Sequence, residues 1–240
     1  MENMQDIPGF VTTLNNMGWM TTELDPYSQA FIDLSRNAKQ PALELGAAYG
    51  QVSRLALAAG AEVVSNDLDP RHLEYLEQHV NADERQRLTC VSGAFPTDLA
   101  FPKQYFAAIL ACRILHFLSG EQLDHGLDLI YQWLIPQGQV FVTCETPYLI
   151  NWQTFIPEFL ARKARHEAWP GIVEAARYET GGYKAGIPDY IHLFDTDTLS
   201  ALFIRHGFTV VQCGYINRKN WPDNLRLDGR ESVGIIAAKG

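Results

Sequence analysis

"ALELGAAYGQVSRLALAAGAEVVSNDLDP", residues 42–70, decides the fold. A four-residue apolar run (42–45) meets a turn of small residues, Gly46-Ala47-Ala48-Tyr49-Gly50. Residues 51–60 then have helical spacing and close on Gly60, and 61–66 form a second apolar run. Strand, helix, strand is the repeating unit of a parallel sheet. In such sheets ligands sit beyond the carboxyl ends of the strands, where the strand order reverses. The turn after the first run is therefore where a ligand is expected. Small residues let the backbone approach it closely, and the following helix start offers free N–H groups.

The rest of the chain extends this alternation. Strand-like runs fall at 87–93, 105–112 and 139–145, with helical patterns at 70–80 and 119–135. Ser119 and Gln122 make a capping box at the start of the latter helix. A further helix over 195–207 precedes strands at 208–216 and 231–239. Those two are joined by a Pro/Asn-rich loop without a helix, so an antiparallel pair at the sheet edge is expected. Residues 25–38 start with Asp-Pro and continue at helical spacing, and 1–25 are expected to be loosely helical. Together, 1–38 read as an N-terminal helical arm. Between the fifth strand and the 195–207 helix lie about 50 residues, helical in pattern over 151–178 and then glycine-rich. Structureless loops of that length are uncommon, so 146–194 reads as a lid or substrate insertion within one domain spanning 1–240.

The chain has 240 residues and a formal net charge of -9. That balance opposes nonspecific nucleic-acid binding, which needs clustered cations. Arg162, Lys163 and Arg165 form one local basic run, expected to be a solvated helix face. No apolar run is long enough for a membrane span, and residues 1–10 lack the marks of a signal peptide. A soluble cytoplasmic protein, monomer or homodimer, is expected. Cys90, Cys112, Cys144 and Cys213 show no metal-ligand spacing and are expected to be reduced thiols, with no metal site.

The turn does not follow the G-x-G-x-x-G spacing of a dinucleotide site, and Glu44 just before it would repel a pyrophosphate. A ligand with positive charge near the turn suits it better. Here the sequence resembles the class I S-adenosylmethionine-dependent methyltransferases. Their first motif is acidic-x-Gly-x-Gly-x-Gly, and "ELGAAYG" (44–50) matches it with Ala48 in the middle position. The resemblance implies a Rossmann-like, seven-stranded, mostly parallel sheet with helices on both faces. It implies S-adenosyl-L-methionine as cofactor, with S-adenosyl-L-homocysteine as product. Glu44 then positions the turn and the amino end of the cofactor, Gly46 and Gly50 are the close-approach positions, and Ala47 and Ala48 join the cofactor-binding set.

The second mark is the acidic end of the second strand. Asp67 is expected to accept the ribose hydroxyls and Leu68 to lie against the adenine, while Asp69, before Pro70, caps the next helix. In "VSGAFP" (91–96) the family's adenine-binding acid is missing, and Ala94 and Phe95 would substitute by backbone contact and packing. "YFAAILACRILHFL" (105–118) matches the fourth-strand signature at Phe106 and Leu115-His116, with Ala107 where an Asp is usual. Arg113 joins the cofactor-binding set, either neutralising an acidic substrate or pairing with a local carboxylate.

His116 and Glu145, at strand ends facing the cofactor, are the candidate bases. Tyr148, Tyr190 and His192 on the insertion, and Tyr27 on the arm, are candidate substrate contacts, with Trp19 able to close the same end. Motifs of base amino-group and cytosine C5 methyltransferases are absent, as is the acidic cluster of a metal-dependent catechol-type site. A small-molecule acceptor is the first expectation. A protein or RNA acceptor, or a cofactor-binding module without turnover, stays open. Glu44 and the turn spacing oppose a nicotinamide-dependent oxidoreductase.

Overall fold

The computed structural model describes residues 9–16, 18–178 and 190–240. In chain order the strands are β1 (Phe10–Thr12), β2 (Trp19–Thr21), β3 (Ala42–Leu45), β4 (Val63–Asp67), β5 (Leu88–Ser92), β6 (Phe106–Cys112), β7 (Leu134–Glu145), β8 (Ile172–Glu174), β9 (Tyr190–His192), β10 (Phe208–Ile216) and β11 (Ser232–Lys239). The helices are α1 (Pro26–Ser35), α2 (Gln51–Ala58), α3 (Pro70–Gln78), α4 (Ala82–Arg85), α5 (Gly120–Trp133), α6 (Ile156–Ala164), α7 (Ala175–Tyr178) and α8 (Thr196–Arg205).

Seven strands form one sheet in the order β10-β11-β7-β6-β3-β4-β5. The five from β7 to β5 are parallel. β11 runs antiparallel between β7 and β10, so the expected C-terminal pair is present with β10 outermost. Successive side chains of a strand face opposite sides, and β6 shows the consequence. Ile109 and Ala111 join the core under α5 and α8, whereas Ala108 and Leu110 join the core under α1 and α2. Covering both faces explains why these strands read as continuous apolar runs. The strand order reverses between β3 and β6, which opens a crevice at their carboxyl ends.

Local chemistry sets the boundaries. Asp25 caps α1 by accepting from the N–H groups of Tyr27 and Ser28, with Pro26 at the first helical position. Ser119 and Gln122 form the expected capping box of α5. Leu134 already belongs to β7, which starts five residues earlier than the periodicity suggests. The basic run on α6 is paired out, Arg162 with Glu158, Lys163 with Asp195 and Asp197, and Arg165 with Glu167. All four cysteines are free thiols.

Two expectations need correction. Phe10–Thr12 and Trp19–Thr21 of the arm are not helical, because β1 and β2 pair antiparallel as a hairpin. Contacts far along the chain hold it there. Phe10 packs edge-on against Trp221 at 5.6 Å, and Tyr49 Oη donates to Thr12 O at 2.8 Å. Residues 1–8 lie outside the described residues. The insertion is helical only in part, since β8 pairs antiparallel with β9 after α6. Its glycine-rich stretch, 179–189, also lies outside the described residues. A third apolar cluster joins the hairpin (Phe10), the insertion (Trp152, Phe155, Phe159, Ile191) and the β10–β11 loop (Trp221, Leu225). It forms a cap on the carboxyl ends of the sheet.

Among the described residues no helix is long and apolar enough to cross a membrane. No group of three or more His, Cys, Asp or Glu side chains among them is placed to hold a metal ion.

Candidate active site

The crevice between sheet and cap is a pocket of about 400 Å³. Its floor is the β3–α2 turn. Three of the five turn residues, Gly46, Ala48 and Gly50, have left-handed backbone, with φ of 68°, 47° and 69°. Glycine adopts that region without a Cβ penalty. At Gly46 a Cβ would also fall 2.3 Å from Ile114 Cγ2, so the turn seats directly against the chain leaving β6. Gly46, Ala47 and Ala48 line the pocket. Gly50 does not. It caps α2, and a Cβ there would meet Leu76 Cδ1 at 2.6 Å, so its close approach is to α3 rather than to a ligand.

Glu44 lies beneath the turn, 4% exposed, and lines the pocket. Ser53 holds it by N–H and Oγ, at 2.8 and 2.5 Å from Oε2. Burial outweighs those bonds and lifts its pKa to about 7. A cationic ligand group beside it would pull the proton off.

Asp67 ends β4 with three donors on its carboxylate. Oδ2 accepts Ala48 N–H at 2.7 Å. Oδ1 accepts Asp69 N–H and contacts His72 Nδ1, both at 2.9 Å. A carboxylate offers about four lone-pair positions, so one stays open, on Oδ2. The expectation that Asp67 takes two hydroxyls at once is thereby narrowed to one. Asp69 is the N-cap of α3, bonded to Arg71. Leu68, half exposed, presents an apolar face to the pocket.

At the β5 end, Ala94 and Phe95 line the same pocket. Asp98 already takes the Ala94 N–H at 3.0 Å, so that group is not free for a ligand. Asn66 fixes this turn by donating to Val91 O and Gly93 O, both at 2.9 Å.

Beyond β6 lies the other end of the pocket. Arg113 has φ of 60°, an uncommon value for a non-glycine residue. Its guanidinium donates to Glu145 Oε1 at 2.8 Å and lies over the Trp221 ring at 5.1 Å. Of the two roles expected for Arg113, pairing with a local carboxylate is the one observed. His116 is 1% exposed, with no partner on Nδ1. Burial pushes its pKa down to about 4, so it is a neutral, weakly basic imidazole at neutral pH.

The four candidate substrate contacts lie elsewhere. Tyr27 packs beneath Gly234 and bonds Gly214 O at 3.3 Å, under the sheet. Tyr148 meets Tyr215 edge-on at 5.9 Å, with the Arg230 guanidinium over its ring at 3.5 Å. Tyr190 bonds Phe117 O at 3.4 Å, and His192 stacks on Phe194. Strand alternation explains the last pair, since β9 points Ile191 into the pocket and its neighbours away. The lining also includes Trp19, and Phe10, His72, Asn151, Trp152, Trp221 and Leu225, which sequence reasoning missed. Their signal was weak, because hairpin, insertion and β10–β11 loop meet only in three dimensions.

Comparison with known proteins agrees with this layout. Residues 42–138 match the family model described as a methyltransferase domain. No curated protein matches the sequence. An S-adenosylmethionine-dependent methyltransferase from Mesorhizobium loti superposes with a TM-score of 0.64 at 18% identity, covering 89% of this chain and 96% of that one. A putative S-adenosylmethionine-dependent methyltransferase from Listeria monocytogenes gives 0.62 at 13% identity, covering 89% and 98%. The glycopeptide N-methyltransferase MtfA, solved with S-adenosyl-L-homocysteine, gives 0.59 at 16% identity, covering 92% and 90%. These likenesses are of fold. With the strand order and the left-handed turn after β3, the chain has the fold of the class I Rossmann-like methyltransferases, and the methyltransferase-domain match falls on the region that builds this turn.

Proposed function

We propose that the enzyme binds S-adenosyl-L-methionine along the β3, β4 and β6 ends and methylates a small molecule under the cap. The observation that carries this is the pocket itself, with Glu44 and the open position of Asp67 on one side and the aromatic cap on the other. The residues fit that cofactor. Glu44 balances its positive end, Asp67 Oδ2 accepts one ribose hydroxyl, and Leu68 offers an apolar face to the adenine. Bound there, the cofactor supplies a methyl group made electrophilic by the sulfonium. The protein's part is to hold the acceptor atom close and exclude water.

Neither candidate base is a strong one. His116 is weakly basic, and Glu145 is engaged by Arg113. An acceptor atom that arrives unprotonated, such as a neutral amine, therefore suits this site best. The paired-out basic run on α6 gives little support to a nucleic-acid or protein acceptor. MtfA, a glycopeptide N-methyltransferase of similar fold, keeps a larger acceptor as the second reading.

Calorimetric titration with S-adenosyl-L-methionine, S-adenosyl-L-homocysteine and NAD, with Asp67→Ala beside the wild type, tests this. Binding of both sulfur ligands but not NAD is expected, weakened by about 1.5–3 kcal/mol in the variant. Absence of binding to either would overturn the proposal. S-adenosyl-L-homocysteine formation with small amine, hydroxyl and thiol acceptors then identifies the substrate.

A further inference from the structure

We infer that His72 is a positioning residue that couples ligand binding at Asp67 to docking of the β1–β2 hairpin over the pocket. The inference rests on the cofactor reading above. His72 is 1% exposed, on the first turn of α3. Its Nε2 accepts the N–H of Leu14 at 2.9 Å. A backbone N–H can only donate, so Nε2 carries no proton and Nδ1 does. Nδ1–H therefore donates to Asp67 Oδ1, at 2.9 Å. One imidazole thus joins the carboxylate proposed to hold the ribose to the tip of the hairpin, 58 residues away from it in sequence.

Further bonds tie the hairpin to this region: Tyr49 Oη donates to Thr12 O at 2.8 Å, Arg71 Nη2 to Leu14 O at 3.0 Å and Gln51 Nε2 to Thr22 O at 2.7 Å. The Tyr49 ring also packs edge-on against His72, at 5.2 Å. Phe10, Thr13 and Trp19 of the hairpin region line the pocket, so a docked hairpin is part of its wall. With Asp69 N–H and His72 filling Oδ1, the carboxylate is held with Oδ2 toward Ala48 and the pocket. If the hairpin lifts, His72 loses its fixed tautomer, and Asp67 keeps the Ala48 and Asp69 N–H groups but loses the imidazole as a fixed third donor. By linkage, whatever binds Asp67 better when the hairpin is docked must also favour docking.

Leu14→Pro isolates the link. Leu14 is the second residue of a turn closed by Asn16 N–H to Thr13 O at 3.0 Å, a position that accepts proline readily. The substitution removes the N–H to His72 and leaves Asp67 and His72 in place. S-adenosyl-L-homocysteine should bind about five- to tenfold more weakly to Leu14→Pro. In an Asp67→Ala background the same change should add little, because a coupled pair is not additive. Hydrogen exchange gives a second readout. The ligand should slow exchange of the hairpin amides Val11 and Met20 in the wild type, and much less in His72→Phe. Unchanged affinity in Leu14→Pro, additive losses in the double variant, or equal hairpin protection in His72→Phe would each overturn the inference. Should His72→Phe not fold, the Leu14→Pro cycle decides alone. Failure of the wild type to bind S-adenosyl-L-homocysteine would overturn the cofactor reading and this inference together. Binding without hairpin protection would overturn this inference alone.

Discussion

Ser53, on the first turn of α2, gives both its N–H and its Oγ to Oε2 of Glu44, with Ser65 Oγ 3.0 Å behind that hydroxyl. This arrangement holds a carboxyl group in a buried site directly below the ligand turn. The two bonds favour the ionised form, but desolvation is the larger effect, and Glu44 titrates near 7.

Cofactor binding should therefore depend on pH. A cation beside Glu44 favours its carboxylate, so binding releases a proton and strengthens as pH rises through about 7. Affinity for S-adenosyl-L-methionine should fall about tenfold from pH 8 to pH 6. Glu44→Gln should bind more weakly at pH 8 and show a flat profile. Calorimetry in buffers of different ionisation enthalpy measures the released proton directly. An unchanged pH slope in Glu44→Gln would sink the assignment.

Ala48 stands where the family motif has glycine, yet the structure keeps the left-handed backbone there, at φ 47°. Its N–H still reaches Asp67 Oδ2, so the departure from the motif leaves the contact intact. Ala48→Gly should therefore change stability by less than about 1 kcal/mol, as relief of strain is offset by unfolded-chain entropy. Ala48→Val, with a branched side chain at positive φ, should cost about 2–3 kcal/mol and weaken ligand binding. Denaturant unfolding of the two variants compares them. Equal stability would show that the turn relaxes to another conformation.

Tyr27 supports the sheet, and its neighbour gives a test of that role. A Cβ at Gly234 would stand 2.2 Å from Tyr27 Cδ2 and Cε2, far inside contact distance. Gly234→Ala should destabilise the protein by about 1–3 kcal/mol through overpacking, while ligand affinity stays at the wild-type value. Tyr27→Phe loses the hydroxyl's bonds to Gly214 O, at 3.3 Å, and to the Gln212 side chain, and should retain activity. A strong loss of turnover in Tyr27→Phe at unchanged stability would return Tyr27 to the substrate site.

What could be read from the sequence was what local chemistry decides. The strands from 42 to 145, the β3–α2 turn, the capping box at Ser119 and the N-cap role of Asp69 all rest on neighbours within a few residues. The cap could not be read this way. Phe10–Thr12 and Trp19–Thr21 are three-residue strands, too short for a periodic signal, and Trp221 and Leu225 lie in a loop with no pattern at all. Tyr190 and His192 carry the chemistry of substrate contacts, but a strand shows alternate residues to one side, and Ile191 is the one that faces in. Nothing in the sequence singles out His72. Only its two partners, Asp67 and Leu14, reveal its use.

Two buried histidines should make the protein acid-sensitive. Burial lowers the pKa of both His116 and His192 to about 4. The ordinary value near 6.5 applies to the unfolded chain. Between those values the unfolded state binds more protons, so stability rises with pH across that window and is lost on acidification. His192 stacks on Phe194 and meets Trp169 edge-on, away from the pocket lining, so it can be changed without touching the site. His192→Phe should be less stable than wild type at pH 7, having lost a polar contact. The gap should close or reverse by about pH 4.5, because the variant escapes a penalty of up to about 3 kcal/mol for charging a buried imidazole. Urea unfolding of both proteins from pH 4.5 to 7.5 measures this difference. A gap that stays constant with pH would mean that His192 is protonated in the folded protein as readily as in the unfolded chain.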